Sequence, residues 1–247
     1  MLGPLDYGLA LASFVAEAYL VVRLCVSKNA LRYFFLNIYM LAAVVATITQ
    51  EIALRHFGVA SPVYAYVYYY TDPLLTIFLF FVILSFYHQV FQQMGAGKYV
   101  RWGSALLLSG TALLSYLVVR RVPTHQGTAH FTQFVIEMSQ NLYFVGVVLT
   151  YLLWGAVIKL RETRTRLIQL ILALGIFFSA EAAGYALYNL FPSLETNFLK
   201  WIPPVMGTFL PLAWAYTVTR IPEGARLETA RVATRGSVQQ MAAHQHS

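Results

Sequence analysis

Five of the ten acidic residues in this chain, Glu17, Glu51, Asp72, Glu137 and Glu181, stand inside long apolar runs. A carboxyl group in such surroundings either draws a positive charge toward itself or takes up a proton, because bare negative charge is costly in a low dielectric. Helical spacing groups them with other polar residues. Gln133, Glu137, Gln140 and Asn141 recur at intervals of three and four and form one stripe on an otherwise apolar helix. Thr47, Gln50 and Glu51 repeat the pattern, as do Tyr68, Tyr69, Asp72 and Thr76, and again Glu181, Gly184, Tyr185 and Tyr188. These four faces are expected to converge on one acidic, tyrosine-lined cavity opening outward, lined by Glu51, Tyr69, Asp72, Glu137, Gln140, Asn141, Glu181 and Tyr185. The carboxylates would supply charge, and the amides and phenols orientation. The competing expectation is that these groups are interhelical hydrogen-bond partners, worth about 1 kcal/mol each. Glu17, which lacks a comparable stripe, is assigned a structural role or a place at a helix interface.

The elements that must position these groups follow from composition. The 247 residues are 59% hydrophobic and 11% charged, and the apolar residues come in runs rather than stripes, the pattern of a polytopic membrane protein. The expected fold is all-α, a bundle of seven transmembrane helices: Leu5 to Val26, Tyr33 to Leu54, Val63 to Phe91, Trp102 to Val119, Phe131 to Ile158, Leu167 to Phe191 and Ile202 to Thr219. Pro73 lies inside the third, directly after Asp72. It leaves the Tyr69 carbonyl without its helical donor and biases Asp72 away from helical geometry. The seventh contains Pro203, Pro204, Gly207 and Pro211, so it is expected to kink.

Orientation follows from the 17 Lys and Arg residues. An outside N-terminus and a cytoplasmic C-terminus put thirteen of them in the cytoplasm and leave Arg55, Arg120, Arg121 and Lys200 outside. The expected organisation is a membrane domain over 1–221 and a polar cytoplasmic tail over 222–247, for which disorder is expected. MLGPLDYG carries no Lys or Arg ahead of the first apolar run, so the first span is expected to be retained rather than cleaved. The net charge of +7 is attributed to cytoplasmic loops and not to nucleic-acid binding.

Other chemistries lack their residues. The single cysteine, Cys25, allows no internal disulfide, and the six histidines show no metal-ligand spacing. His88 is the one histidine within a span, which does not support a bis-histidine haem, and no cofactor is expected. Neither His-Glu-x-x-His, Gly-x-Ser-x-Gly nor a glycine-rich phosphate loop occurs, so no enzyme is expected. A retinal protein is excluded by the last span, which holds no lysine for a Schiff base.

The stretch YAYVYYYTDPLLTIFLFFVILSFYHQVF, residues 64–91, resembles the third helix of stand-alone bacterial seven-helix membrane proteins of unknown function. Those are distantly similar to the seven-helix sensor region that precedes some histidine kinases. The resemblance implies a sensing or accessory role in the inner membrane, with signalling output on a separate partner protein. Together these readings predict a receptor-like membrane protein for a small polar or cationic ligand. The alternatives are a small-solute or ion-coupled transporter using the same carboxylates, and a structural subunit that binds nothing. The apolar run LLTIFLFFVIL after Asp72 is expected to close the cavity on its cytoplasmic side.

Overall fold

A computed structural model describes residues 4–26, 31–58, 61–91, 97–121, 127–190 and 201–226. These residues form seven helices: α1 (Pro4–Val26), α2 (Phe34–Phe57), α3 (Pro62–Phe91), α4 (Gly97–Arg121), α5 (Gly127–Lys159), α6 (Thr165–Leu190) and α7 (Ile202–Arg220). Each contains the apolar segment expected there, give or take a terminal turn, because in lipid a segment must satisfy its backbone within itself. Five helices, α1, α2, α3, α5 and α6, are long and apolar enough to cross a bilayer. In α7, three prolines and three threonines dilute the apolar character. The surface carries Leu11, Val22, Leu41, Leu114, Leu152 and Ile176 in exposed positions, as lipid contact requires and water would penalise.

Six helices close a ring in the order α1, α2, α3, α5, α6, α7, with α7 returning to α1; α4 packs outside it against α5 and α3. The polar contacts fix direction. Thr208 Oγ1 donates to the Leu9 carbonyl at 3.2 Å and Tyr19 Oη meets Thr219 Oγ1 at 2.9 Å, so α1 and α7 run parallel. Leu24, Met40, Phe80, Phe86, Leu153 and Trp214, all fully buried, fill one half of the ring, toward the ends of α1, α3, α5 and α7 and the starts of α2 and α6. Asp72 and Glu181 lie in the other half, and Glu17 near mid-depth. The apolar run after Asp72 is this plug: Leu79, Phe80, Val82, Ile83 and Phe86 are all buried. Contrary to the expectation for a pre-proline residue, Asp72 stays within α3, which is helical on both sides of Pro73. Neighbouring helices surround the proline, which is itself buried.

The plugged end is tied by a polar clasp. Arg32 donates from Nε to Gln89 Oε1 at 3.2 Å and from a terminal nitrogen to Glu223 Oε1 at 2.8 Å, while Gln89 Nε2 donates to the Arg32 carbonyl. Arg164 reaches the Gln89 carbonyl at 2.8 Å and grips Glu162 through Nε and a second nitrogen. Residues 222–226 belong to this clasp: the Thr165 amide donates to the Ala225 carbonyl at 3.2 Å, and Arg226 forms a backbone bridge with Arg164. The expected polar tail thus begins as an ordered segment; from residue 227 it lies outside the described residues. Arg161, at φ 50°, closes α5 in the left-handed conformation that glycine usually takes there, with the Glu162 amide returning to the Val157 carbonyl.

The Arg164 guanidinium beside Glu162, together with the Thr163 and Arg164 amides, holds that carboxyl below its ordinary value of 4.5. A depressed carboxyl contributes stability above its unfolded pKa and loses it as pH falls through the folded value. Melting curves of wild type and Glu162→Gln are therefore expected to stay separated from pH 7 down to about 4.5 and to converge below it. A separation that does not change with pH would remove Glu162 from this account.

Candidate functional site

Asp72 sits at the centre of the unplugged half of the ring. Its Oδ2 accepts a short hydrogen bond from Ser139 Oγ, and its Oδ1 accepts one from Tyr143 Oη at 3.0 Å. Both donors come from α5, one turn apart. Thr76 donates back to the Asp72 carbonyl at 2.9 Å, absorbing a backbone acceptor beside the proline. Across the ring, α6 brings Glu181 and Tyr185 to the same place. Tyr185 lies with its ring centroid 5.5 Å from that of Tyr143, and its hydroxyl is within reach of Ser139. Glu181 is buried, lies within electrostatic range of Asp72, and takes no hydrogen bond among the described residues. The Tyr143 ring is backed by Phe177 and Phe178, which holds the phenol in position.

The eight expected residues divide. Asp72, Glu181 and Tyr185 meet as anticipated. Glu51 does not join them: it pairs with Arg55 one turn along α2, Oε1 to Nε at 2.6 Å, on an exposed surface. From the same face Gln50 turns inward, donating to Thr71 Oγ1 at 2.7 Å and so joining α2 to α3, and Thr47 comes within hydrogen-bond reach of Glu17. Tyr69 stands edge-on to Tyr68, and the two are equally exposed, at 43% and 44%. Tyr68, one turn before Asp72, is the tyrosine within range of Asp72, Glu181 and Tyr185. Consecutive tyrosines point to different sides of a helix, and the remainder stack among themselves, Tyr66 on Tyr70 and Tyr64 on Tyr68.

The α5 stripe is the largest correction. At 100° per residue, Glu137 and Asn141 project about 160° away from Ser139 and Tyr143. Asn141 Nδ2 donates to Ser115 Oγ at 2.9 Å, and Ser115 in turn donates to the Thr111 carbonyl, so this face binds α4. Glu137 is half-buried on the same side, and Gln140 falls between the two faces. The side chains of Gln133 and Tyr188 lie outside the described residues. Ser139 and Tyr143 were missed because they share the 3-4-spaced seam of Val135, Leu142, Gly146, Leu149 and Leu153, the buried apolar arc of α5. Two hydroxyls interrupting that seam were the available signal.

Glu17, assigned a structural or interface role, is more central than its surroundings in the sequence imply. It is buried in α1 with Oε2 sealed and without a hydrogen-bond partner. Its Oε1 is 2.9 Å from Ser13 Oγ, which is also 3.1 Å from the Gly207 carbonyl of α7. The one hydroxyl is thus shared between a carboxyl of α1 and a carbonyl of α7. Between Glu17 and the Asp72 group lies Tyr39 of α2, buried, edge-on to Trp214 at 5.9 Å and within electrostatic range of Glu17, Asp72 and Glu181 alike.

This arrangement can neutralise a cation. It sets two carboxyls close together, one fixed by two hydroxyl donors and one unengaged, beside the π faces and hydroxyls of Tyr143 and Tyr185, which also favour positive charge. Among the described residues no group of three or more His, Cys, Asp or Glu is placed to hold a metal ion. No protein-family model matches the sequence, and no characterised protein or solved structure is detectably similar to it, so the reading of this site rests on its own geometry.

Proposed function

We propose that this chain is a seven-span protein of the bacterial inner membrane, N-terminus outside and C-terminus cytoplasmic, that acts as a receptor-like sensor for a small cationic or amine-bearing ligand held between Asp72 and Glu181. The observation that carries this is the pairing itself. Half-buried Asp72 of α3 and buried Glu181 of α6 lie within electrostatic range of each other, with no lysine, arginine or histidine bonded to either among the described residues. A helix interface that needed only glue would be served by amides and hydroxyls, at less cost than two acids. The apolar plug supports a site reached from the outer side, as sensing requires, and the output would belong to a separate signalling or membrane partner.

Thermal-shift measurements on the purified protein, against a panel of amines and monovalent cations, test this. A ligand at a hundred times its Kd raises stability by about 2.7 kcal/mol. The expected result is such a shift in wild type, abolished in both Asp72→Asn and Glu181→Gln. If no amine or cation shifts the wild type and both substitutions leave stability unchanged or raised, the carboxyls are structural and the proposal fails.

One observation favours the ion-coupled carrier as a second reading. The acids do not stop at Asp72, since Tyr39 links that group to Glu17 on the far side of the ring. In a carrier, Glu17→Gln would abolish uptake into proteoliposomes while leaving binding at Asp72 intact. In a sensor it would change neither.

A further inference from the structure

The clasp end of the bundle holds a second unbalanced charge, of the opposite sign. Arg166, in the first turn of α6, is 9% exposed, and its Nε is sealed without an acceptor. No carboxylate pairs with it among the described residues; its guanidinium carbon lies instead 5.1 Å over the ring of Tyr33. Such a ring offsets part of the desolvation of a cation but accepts no hydrogen bond in the guanidinium plane. Nε is the only nitrogen of Arg166 that is both sealed and unpartnered, so the two terminal nitrogens keep access to the surface.

Around the same tyrosine stand two more guanidinium groups. Arg32, Arg164 and Arg166 all act electrostatically on Tyr33, against the single carboxylate of Glu223. Arg32 is ion-paired to Glu223 and Arg164 to Glu162, whereas Arg166 has no ion pair among the described residues. The helix dipole adds to its charge: this is the start of a 26-residue helix, where negative charge is favoured even though Glu162 takes the Thr163 and Arg164 amides and the Ala225 carbonyl that of Thr165. A buried cation with spare in-plane donors at a helix N-terminus, flanked by two further guanidinium groups, has the chemistry of a phosphate site. A planar fork meets two phosphate oxygens at once.

We infer that Arg166, with Arg32 and Arg164 beside it, binds a phosphate group at this end of the bundle. The group could be carried by an anionic lipid of the adjoining leaflet or by a soluble phosphate compound, and two arms separate these sources. In the first, protein in lipid-free detergent is melted with inorganic phosphate against chloride at equal ionic strength. In the second, in buffer without inorganic phosphate, nanodiscs of zwitterionic phosphatidylcholine are compared with nanodiscs containing anionic phosphatidylglycerol. A rise in Tm in the first arm identifies a soluble phosphate, a rise in the second arm alone a lipid headgroup, and either supports the site. Arg166→Gln is expected to weaken the response by about tenfold, the loss of a charge-assisted hydrogen bond. Should that variant not fold, Arg166→Lys keeps the charge and loses the fork, and a response several-fold weaker than wild type is expected. The inference is overturned if neither arm shifts the wild type, or if the variant that folds responds as wild type does.

Discussion

Trp214→Ala is expected to cost about 3–5 kcal/mol, among the largest single losses available in this fold. The indole is fully buried in α7, its Nε1 donates to the Leu170 carbonyl of α6 at 3.1 Å, and Tyr39 of α2 rests edge-on against it. Three helices of the ring are therefore held by one side chain. In a bilayer the transfer of apolar surface out of water contributes little to helix association, so lost van der Waals contact and the cavity left behind account for most of the cost. Trp214→Phe keeps the edge-to-face contact and removes only the second donor of a carbonyl already bonded within α6, so the lost hydrogen bond should cost about 0.5–1.5 kcal/mol. The check is unfolding of purified protein in mixed micelles. A loss below 1 kcal/mol for the alanine variant would show that the ring closes without this contact.

Gly146→Leu is expected to be comparably disruptive, for the opposite reason. A Cβ added at Gly146 would stand 2.5 Å from two atoms of the Phe178 ring and 2.9 Å from a third. Phe178 is fully buried and braced by Phe177 and Tyr143, so its ring has little room to retreat. Overpacking of this kind costs about 1–3 kcal/mol for small insertions and more for a branched side chain. Since Tyr143 is one of the two donors to Asp72, ligand response should be lost along with stability. The double variant Gly146→Ala with Phe178→Leu is expected to recover most of what Gly146→Ala alone removes, a non-additivity that marks direct contact. Additive losses in that cycle would show that the glycine matters for some other reason.

The helices were legible because lipid makes each one self-sufficient: α3 reads as Val63 to Phe91 in sequence and runs Pro62–Phe91 in space, with no tertiary information needed. Asp72, Glu181 and Tyr185 could be picked out by the same logic, since polar groups in apolar runs must find partners. Direction could not. A stripe at spacing three and four states that its members share a face, but not which neighbour that face meets. Glu137 and Asn141 face α4, and nothing in α5 alone reveals that α4 lies outside the ring. Glu51 illustrates a different gap, because Arg55, one turn away on the same helix, offers it a partner at the surface. Glu17 was undervalued because its own helix offers it only Ser13, one turn earlier, while Gly207 and Tyr39 come from two other helices.

α6 carries Arg166 in its first turn and Glu181 fifteen residues later, about 22 Å along one rod with no proline between them. Were the proposed anion and cation both to bind, one at its foot and one near its head, they would share a single stiff element. Linkage would then make any influence mutual: by whatever factor one occupant altered the hold on the other, it would be altered in return.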